Sequence, residues 1–414
     1  MKVLIFSLAY FPFVGGAEIA VKEITDRISG ISATSRQTRG GLDLSVNSRS
    51  PREKPRGEFY RKAKGGPASG WDFEMITVSL DGKQKAVEQL GKVKVYRLGR
   101  GKLAKYLFPF IALAKARKLH RQNNYDVVWA IMANQAGLAA LRFKKKFPSV
   151  KYLLTLQEGD SLKRIWSRTW FMRFVYKQIY QKADFIQPIS SYLARRAEKY
   201  GFTKQMEIVP NGVDLSNFTR EFAPEELLAF KKKLNLEPQD RVVTTISRLV
   251  HKNGIDILIK AVKDLDVKVL IIGSGHLETK LKSLAQEIGV RDKILFTGYI
   301  SQEKLPQYLK ISDVFVRTSR SEGLGSAFLE AMAAGVPVIG TGIGGIPDFL
   351  KEGKTGLFAE LGNPSDLSNK IQLLLNDKDL SRCLAKNGRN LVLEHYDWNE
   401  IAKRMEMIFQ KLWS

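Results

Sequence analysis

Glu322 and Glu330 flank a glycine turn, Gly323-Leu324-Gly325, that opens an apolar helical pattern at Ser326. With the first carboxylate ending a strand and the second about one turn into the helix, both can face one pocket. There the helix N-terminus offers free N–H groups to an anion. Two carboxylates beside an anion site suit the hydroxyls of a sugar and a ribose. The same pair also fits a capping carboxylate followed by an ordinary helix-surface glutamate, and spacing alone leaves both readings open.

Further glycine loops follow apolar runs at Gly15-Gly16, at Gly273-Ser274-Gly275 and from Gly342 to Gly345. Glycine there lets a backbone approach a phosphate, and it equally makes a tight turn. None completes a dinucleotide fingerprint, because after Gly273 and Gly275 the third glycine position is Glu278. Asp264-Leu265-Asp266 imitates a metal-binding Asp-x-Asp. It precedes its strand, at the end of a parallel sheet opposite the ligand edge, and reads as turn and surface.

These loops need strands and helices to hold them. An apolar run over Val3–Ala9, the loop FPFVGGAE and the helical pattern IAVKEITDRI make a β-loop-α opening. Strands are expected at Phe73–Leu80, Val93–Leu98, Val127–Ile131 and Tyr152–Leu156, with helices near 107–120 and 136–143. The alternation restarts with strands at Arg241–Ser247, Val267–Ile272, Ile294–Thr297, Val314–Thr318 and Pro337–Thr341. Helices 255–262, 277–288, 302–311 and 326–334 intervene. Strictly alternating strands and helices predict two α/β, doubly wound parallel-sheet domains. A first domain over 1–210 and a second over 211–395 would meet at the turn-rich PNGVD. Residues 29–70, rich in Ser, Arg, Gly and Pro, show no period and read as a disordered basic insertion.

The chain has 414 residues, enough for two cores, and a net charge of +25. Residues 1–210 hold 39 Lys and Arg against 16 Asp and Glu, whereas the remainder holds 28 against 26. The basic half favours phosphate-rich partners, namely nucleic acid, anionic lipid head groups or acidic glycans, or is simply a solvated surface. No helix-turn-helix, zinc or RNA-binding aromatic motif accompanies it, so specific nucleic-acid binding is not expected. No apolar run is long enough to cross a bilayer as a helix. The N-terminal VLIFSLAYF imitates a secretory signal but is followed by Pro12, Gly15 and Gly16 as a strand would be, with Glu18 where a cleavage region prefers small neutral residues. One cysteine, Cys383, excludes an intramolecular disulfide and a multi-cysteine zinc site, and suits a reducing cytoplasm.

The run SEGLGSAFLEAMAAGVPVIGTGIGGIPD resembles the glutamate-x7-glutamate signature of retaining glycosyltransferase family 4, the group 1 glycosyl transferases. PFVGGAE, EIVPNGVDLSNF, SRLVHKNGIDILIKAV and LIIGSGHLETKL agree in order, and the resemblance covers nearly the whole chain outside 29–70. It implies the GT-B fold, with two Rossmann-like domains facing across a cleft, and residues 396–414 as a last helix returning to the first domain. It implies a hexose transferred from a nucleoside-diphosphate sugar, with retention, to a glycan or lipid-linked acceptor in cell-envelope polysaccharide synthesis. On that resemblance Arg248 and Lys252 would clamp the diphosphate and Glu330 would hold the ribose. Glu322 would contact the donor sugar beside the backbone of Gly323, Leu324 and Gly325, while Gly273 and Gly16 would line the donor site. Two cations and a helix dipole can neutralise the leaving diphosphate, so neither a metal nor a cofactor is expected.

One position departs from the pattern. Where many members carry a histidine, after LLTL, this chain has Gln157. No general-base histidine can be assumed, and Gln157, Glu158 and Asp160 are candidates for the sugar or acceptor side. Acceptor choice would fall to the basic half, where Ser161–Lys182 interleaves Lys and Arg with Trp166, Trp170, Phe171, Phe174 and Tyr176. That pattern suits either peripheral contact with the inner face of an anionic membrane or a helix packed on the sheet. A GT-B relative performing epimerisation or hydrolysis is the rival activity, with nucleic-acid binding more remote.

Overall fold

The computed structural model of the protein describes residues 1–12, 15–30, 70–160 and 173–414. The proposed insertion at 29–70 therefore lies, apart from its ends, outside the described residues, as does the aromatic-basic segment through residue 172.

The first sheet contains β1 (Lys2–Phe6), β2 (Asp72–Ser79), β3 (Val87–Leu90), β4 (Val93–Arg100), β5 (Val127–Ile131), β6 (Lys151–Leu156), β7 (Phe185–Pro188) and β8 (Gln205–Met206). Their order is β3-β4-β2-β1-β5-β6-β7-β8. β1 lies between two parallel neighbours, with Val3 opposite both Phe73 and Val127. Val3 through Phe6 are wholly buried, which is why that strand reads as a continuous apolar run rather than an alternation. The helix Gly16–Ile28 that follows buries Ala17, Ala20, Val21, Ile24 and Ile28, the spacing of one helical face.

The sheet is not parallel throughout. β3 pairs antiparallel with β4 across a two-residue turn in which Gly91 has φ +58°. A tight hairpin turn of this kind needs the left-handed conformation that glycine adopts without steric cost. β3, β7 and β8, of four residues or fewer, are too short to display a period in sequence.

The second sheet contains β9 (Val242–Ile246), β10 (Lys268–Ile272), β11 (Ile294–Gly298), β12 (Val314–Arg317), β13 (Val338–Thr341) and β14 (Leu357–Ala359), in the order β11-β10-β9-β12-β13-β14. Every pairing in it is parallel. On one face Val243, Val269, Ile271, Val316 and Ile339 meet Ile255, Leu258, Leu281 and Leu374 from the covering helices. On the other, Phe328 from the helix Ser326–Ala333 sits with its ring 5.4 Å from Phe315 and 5.7 Å from Phe349. Those aromatic contacts fix the helix that carries Glu330.

The chain forms two compact units. One comprises 1–155, 178–185 and 402–414, and the other 156–177 and 186–401. In the first, the helix Trp398–Trp413 sets Phe409 edge-on to Trp129 at 5.2 Å, and Glu406 accepts a hydrogen bond from Trp71 Nε1 at 3.0 Å. Among the described residues no helix is long and apolar enough to cross a membrane.

Candidate active site

β9, β12 and β13 lie side by side and run parallel, so the loops that follow them open on one edge of the second sheet. β12 ends at Arg317, which places Glu322 within the following loop rather than at the strand end expected from sequence. Glycine lets these loops touch backbone to backbone. At Gly254 (φ +68°) a Cβ would lie 1.9 Å from Thr318 O, and at Gly344 (φ +58°) 1.9 Å from Glu322 O. Thr318 Oγ1 donates to Gly254 O at 2.7 Å and the Arg320 N–H to Lys252 O at 2.6 Å, tying the β9 and β12 loops together.

Glu322 is held from several sides. Arg317 Nη2 lies 2.7 Å from its Oε2, each side chain only 12% exposed. Ser319 Oγ donates to the carboxylate at 3.4 Å and the Gly323 N–H at 3.1 Å. Asn253, itself buried, donates to Arg248 O at 2.7 Å and accepts from Arg317 Nη2 at 3.4 Å. One asparagine thus couples the backbone that presents Arg248 to the cation that orients Glu322.

Glu330 is buried and accepts a hydrogen bond from Gln302 Nε2 at 3.0 Å. Burial pushes its carboxyl up to about 7, against the opposing pull of the Arg317 charge and the Gln302 hydrogen bond. Burial likewise lowers the Lys252 ammonium, opposed by Glu322 and then Asp160, while Arg248 and Arg317 push it further down. Lys252 Nζ stands 3.6 Å from Asp160 Oδ1. Arg248 is exposed, and among the described residues its guanidinium makes no hydrogen bond or ion pair. The N-terminus of the helix Ser326–Ala333 follows Gly325 (φ +100°) with no side-chain cap.

The segment carrying Gln157, Glu158 and Asp160 belongs to the same compact unit as Lys252 and Glu322. Ser321 Oγ donates to Gly159 O at 2.7 Å, and Asn211 Nδ2 to Gln157 Oε1 at 3.3 Å. A Cβ on Gly159 would meet Lys252 Nζ at 2.9 Å, Gly323 N at 3.3 Å and Glu322 Oε1 at 3.7 Å. An ammonium, an amide and a carboxylate therefore surround one point.

Of the other candidates, Gly273 (φ +132°) lies at the end of β10, where a Cβ would stand 2.0 Å from Ser247 O, next to Arg248. Leu324 is buried and has only backbone to offer. Gly16 begins a helix of the first unit, where Gly15 caps it without a side-chain bond. Asp264 and Asp266 precede β10, at the opposite edge of the sheet from these loops. Among the described residues no group of three or more His, Cys, Asp or Glu is placed to hold a metal ion.

Sequence reasoning passed over Arg317, Asn253, Gln302 and Gly159. Arg317 carried a signal, since a charge closing the apolar strand VFVR demands a partner. Gln302 carried none, because its partner is 28 residues away and only the fold joins them.

Residues 228–391 match the family described as Glycosyl transferases group 1, and residues 58–212 match the Glycosyl transferase 4-like domain. A GDP-mannose-dependent alpha-(1-6)-phosphatidylinositol monomannoside mannosyltransferase of Mycobacterium tuberculosis is 31% identical over 305 residues, covering 70% of this chain and 77% of that protein. Among solved structures, sucrose-phosphate synthase from Thermosynechococcus elongatus superposes with a TM-score of 0.79 at 22% identity, covering 99% of this chain and 98% of that one. Anabaena HepE, solved with UDP and glucose, gives 0.76 at 17% identity over 99% and 100%. The structural likenesses speak for fold and the sequence matches for family: the chain belongs to the family 4-like group 1 glycosyl transferases of GT-B fold, hexosyltransferases that draw on a nucleotide sugar.

Proposed function

We propose that the protein moves a hexose, with retention and without a metal ion, from a nucleoside-diphosphate sugar to a glycan or lipid-linked acceptor. The observation that carries this reading is the convergence of Lys252 Nζ, Glu322 Oε1 and the Gly323 amide around Gly159. A cation and an N–H beside a carboxylate can bind the sugar-phosphate junction of a donor.

Arg248, exposed and uncommitted among the described residues, and Lys252 would clamp the diphosphate, with the uncapped helix N-terminus after Gly325 adding its N–H groups. Glu322, with its orientation held by Arg317, would accept hydrogen bonds from the donor sugar. Glu330 would take the ribose hydroxyls. In the transfer the bond from C1 to the diphosphate oxygen breaks, and a bond from C1 to the acceptor oxygen forms on the same face. The acceptor proton passes to the departing phosphate oxygen, so the route requires no histidine at position 157. Lys252 would stabilise the negative charge that grows on that oxygen, the task a divalent cation performs in metal-dependent enzymes.

The mycobacterial relative makes GDP-mannose the first donor to test and a glycosylated lipid the first acceptor. A glycosylated lipid acceptor would also fit a cell-envelope role on the inner face of a membrane. A panel of GDP-, UDP- and ADP-sugars, scored by thermal shift and by nucleotide release with and without EDTA, tests the reading. Stabilisation by one donor, with EDTA-insensitive and acceptor-dependent release, is the expected result. A changed sugar or free sugar without any acceptor would favour epimerisation or hydrolysis, and no response to any donor would refute the proposal. The anomeric configuration of the product, read by NMR, decides retention.

A further inference from the structure

Lys252 lies in a short 3-10 turn, His251–Asn253, between β9 and the helix Ile255–Ala261. Such a turn holds itself weakly: the Gly254 amide that closes it reaches His251 O only at 3.3 Å. The β12 loop holds it instead, at three carbonyls. Thr318 Oγ1 donates to Gly254 O at 2.7 Å, the amides of Arg320 and Ser321 donate to Lys252 O at 2.6 and 3.3 Å, and Arg320 Nη1 donates to His251 O at 2.9 Å. Arg320 thus grips the turn by backbone and side chain at once.

Asp256, in the first turn of the helix that follows Lys252, fixes the Arg320 guanidinium. Nη1 lies 2.8 Å from Asp256 Oδ1 and Nη2 lies 2.6 Å from Oδ2, a fork that sets the plane of the guanidinium as well as its position. Burial disfavours the Asp256 charge, but the Arg320 hydrogen bonds and charge outweigh it and hold the carboxyl below its ordinary range. With the two side chains 25% and 33% exposed, the pair adds little to global stability. Its effect is local. Glu322 stands two residues beyond Arg320 in the same loop, so the fork ties the backbone that presents Lys252 to the backbone that presents Glu322.

We propose that Arg320, locked by Asp256, is a positioning residue for the transfer step. It keeps the Lys252 turn at the distance from Glu322 at which the ammonium meets the departing phosphate oxygen while the carboxylate holds the sugar. Both terminal nitrogens of Arg320 already bond within the protein, so it acts through Lys252 and not on the donor. The inference rests on the role given to Lys252 under the proposed function.

The test is steady-state nucleotide release by the full chain, measured on whichever of GDP-mannose, UDP-glucose and ADP-glucose is turned over fastest. Arg320→Gln should lower kcat about tenfold or more, since a small misplacement of a reacting group is costly. Donor KM and the thermal midpoint should change little, because Arg248 and Glu330 keep their places. Asp256→Asn, of the same size as the native residue, is the milder variant and should share this behaviour. Arg320→Lys, which keeps the charge and loses the fork, should recover part of the rate. In a chain that already carries Lys252→Ala, Arg320→Gln should change kcat by less than about twofold, because its effect passes through the missing ammonium. Equal slowing with and without Lys252 would overturn the inference and leave the donor reading standing. So would native kcat in both Arg320→Gln and Asp256→Asn while Lys252→Ala is slow, or a fall in donor affinity and thermal midpoint that accounts for the lost rate. Native kcat in Lys252→Ala would instead overturn the role of Lys252, and this inference with it.

Discussion

Arg317 Nη2 lies 2.7 Å from Glu322 Oε2, both side chains nearly buried, and the charge of the same arginine reaches Glu330. One cation thus serves both carboxylates of the family signature. Arg317→Leu would leave Glu322 in low dielectric without its partner, a change that costs about 3 kcal/mol or more where a buried pair is broken. Denaturant unfolding should show that loss, and Glu322→Gln in the same chain should recover part of it. A double-variant loss equal to the sum of the losses in Arg317→Leu and Glu322→Gln alone would show that the pair is not energetically coupled.

The raised carboxyl of Glu330 has a signed consequence. Its folded-state value of about 7 exceeds the ordinary 4.5, so between those values the folded protein holds the proton more tightly than the unfolded chain. Stability from this group is full below about 4.5 and declines as pH rises to about 7, by on the order of 3 kcal/mol. Glu330→Gln should flatten that part of the stability profile measured by urea denaturation. If the ionised carboxylate holds the ribose, donor KM should fall as pH rises through about 7 in the native chain and not in the variant.

Lys252→Ala should lower kcat by about a hundredfold or more, the usual cost of removing one donor to a developing negative charge. Glu330→Ala should instead act mainly on donor affinity. Steady-state kinetics separates the two, and unchanged constants in both variants would contradict the assigned roles.

Gly159 offers a test of geometry without changing charge. Alanine there would push its methyl to 2.9 Å from Lys252 Nζ, which can swing aside, and to 3.3 Å from Gly323 N, which must yield a few tenths of an ångström. Gly159→Ala should therefore shift the thermal midpoint little and lower kcat/KM at least about tenfold. A variant with native kinetics would mean that Lys252 does not act from this position.

Most of the fold was legible in the sequence because alternation of buried strands and amphipathic helices is a local property. Val3–Phe6, Val127–Ile131 and Val269–Ile272 announce themselves as unbroken apolar runs, and Gly273 marks where the backbone turns after the last of them. The family signature was legible for the same reason, its two glutamates being tied to one loop and one helix. What sequence could not supply were relations between distant segments. Parallel pairing brings β9 and β12 side by side, so Asn253 meets Arg317, while Gln302 reaches Glu330 from the segment after β11 and Gly159, from the segment after β6, fits between Lys252 and Gly323. Sequence determined which residues could do chemistry, and tertiary structure decided which of them share a charge, because an ion pair depends on distance in space rather than along the chain.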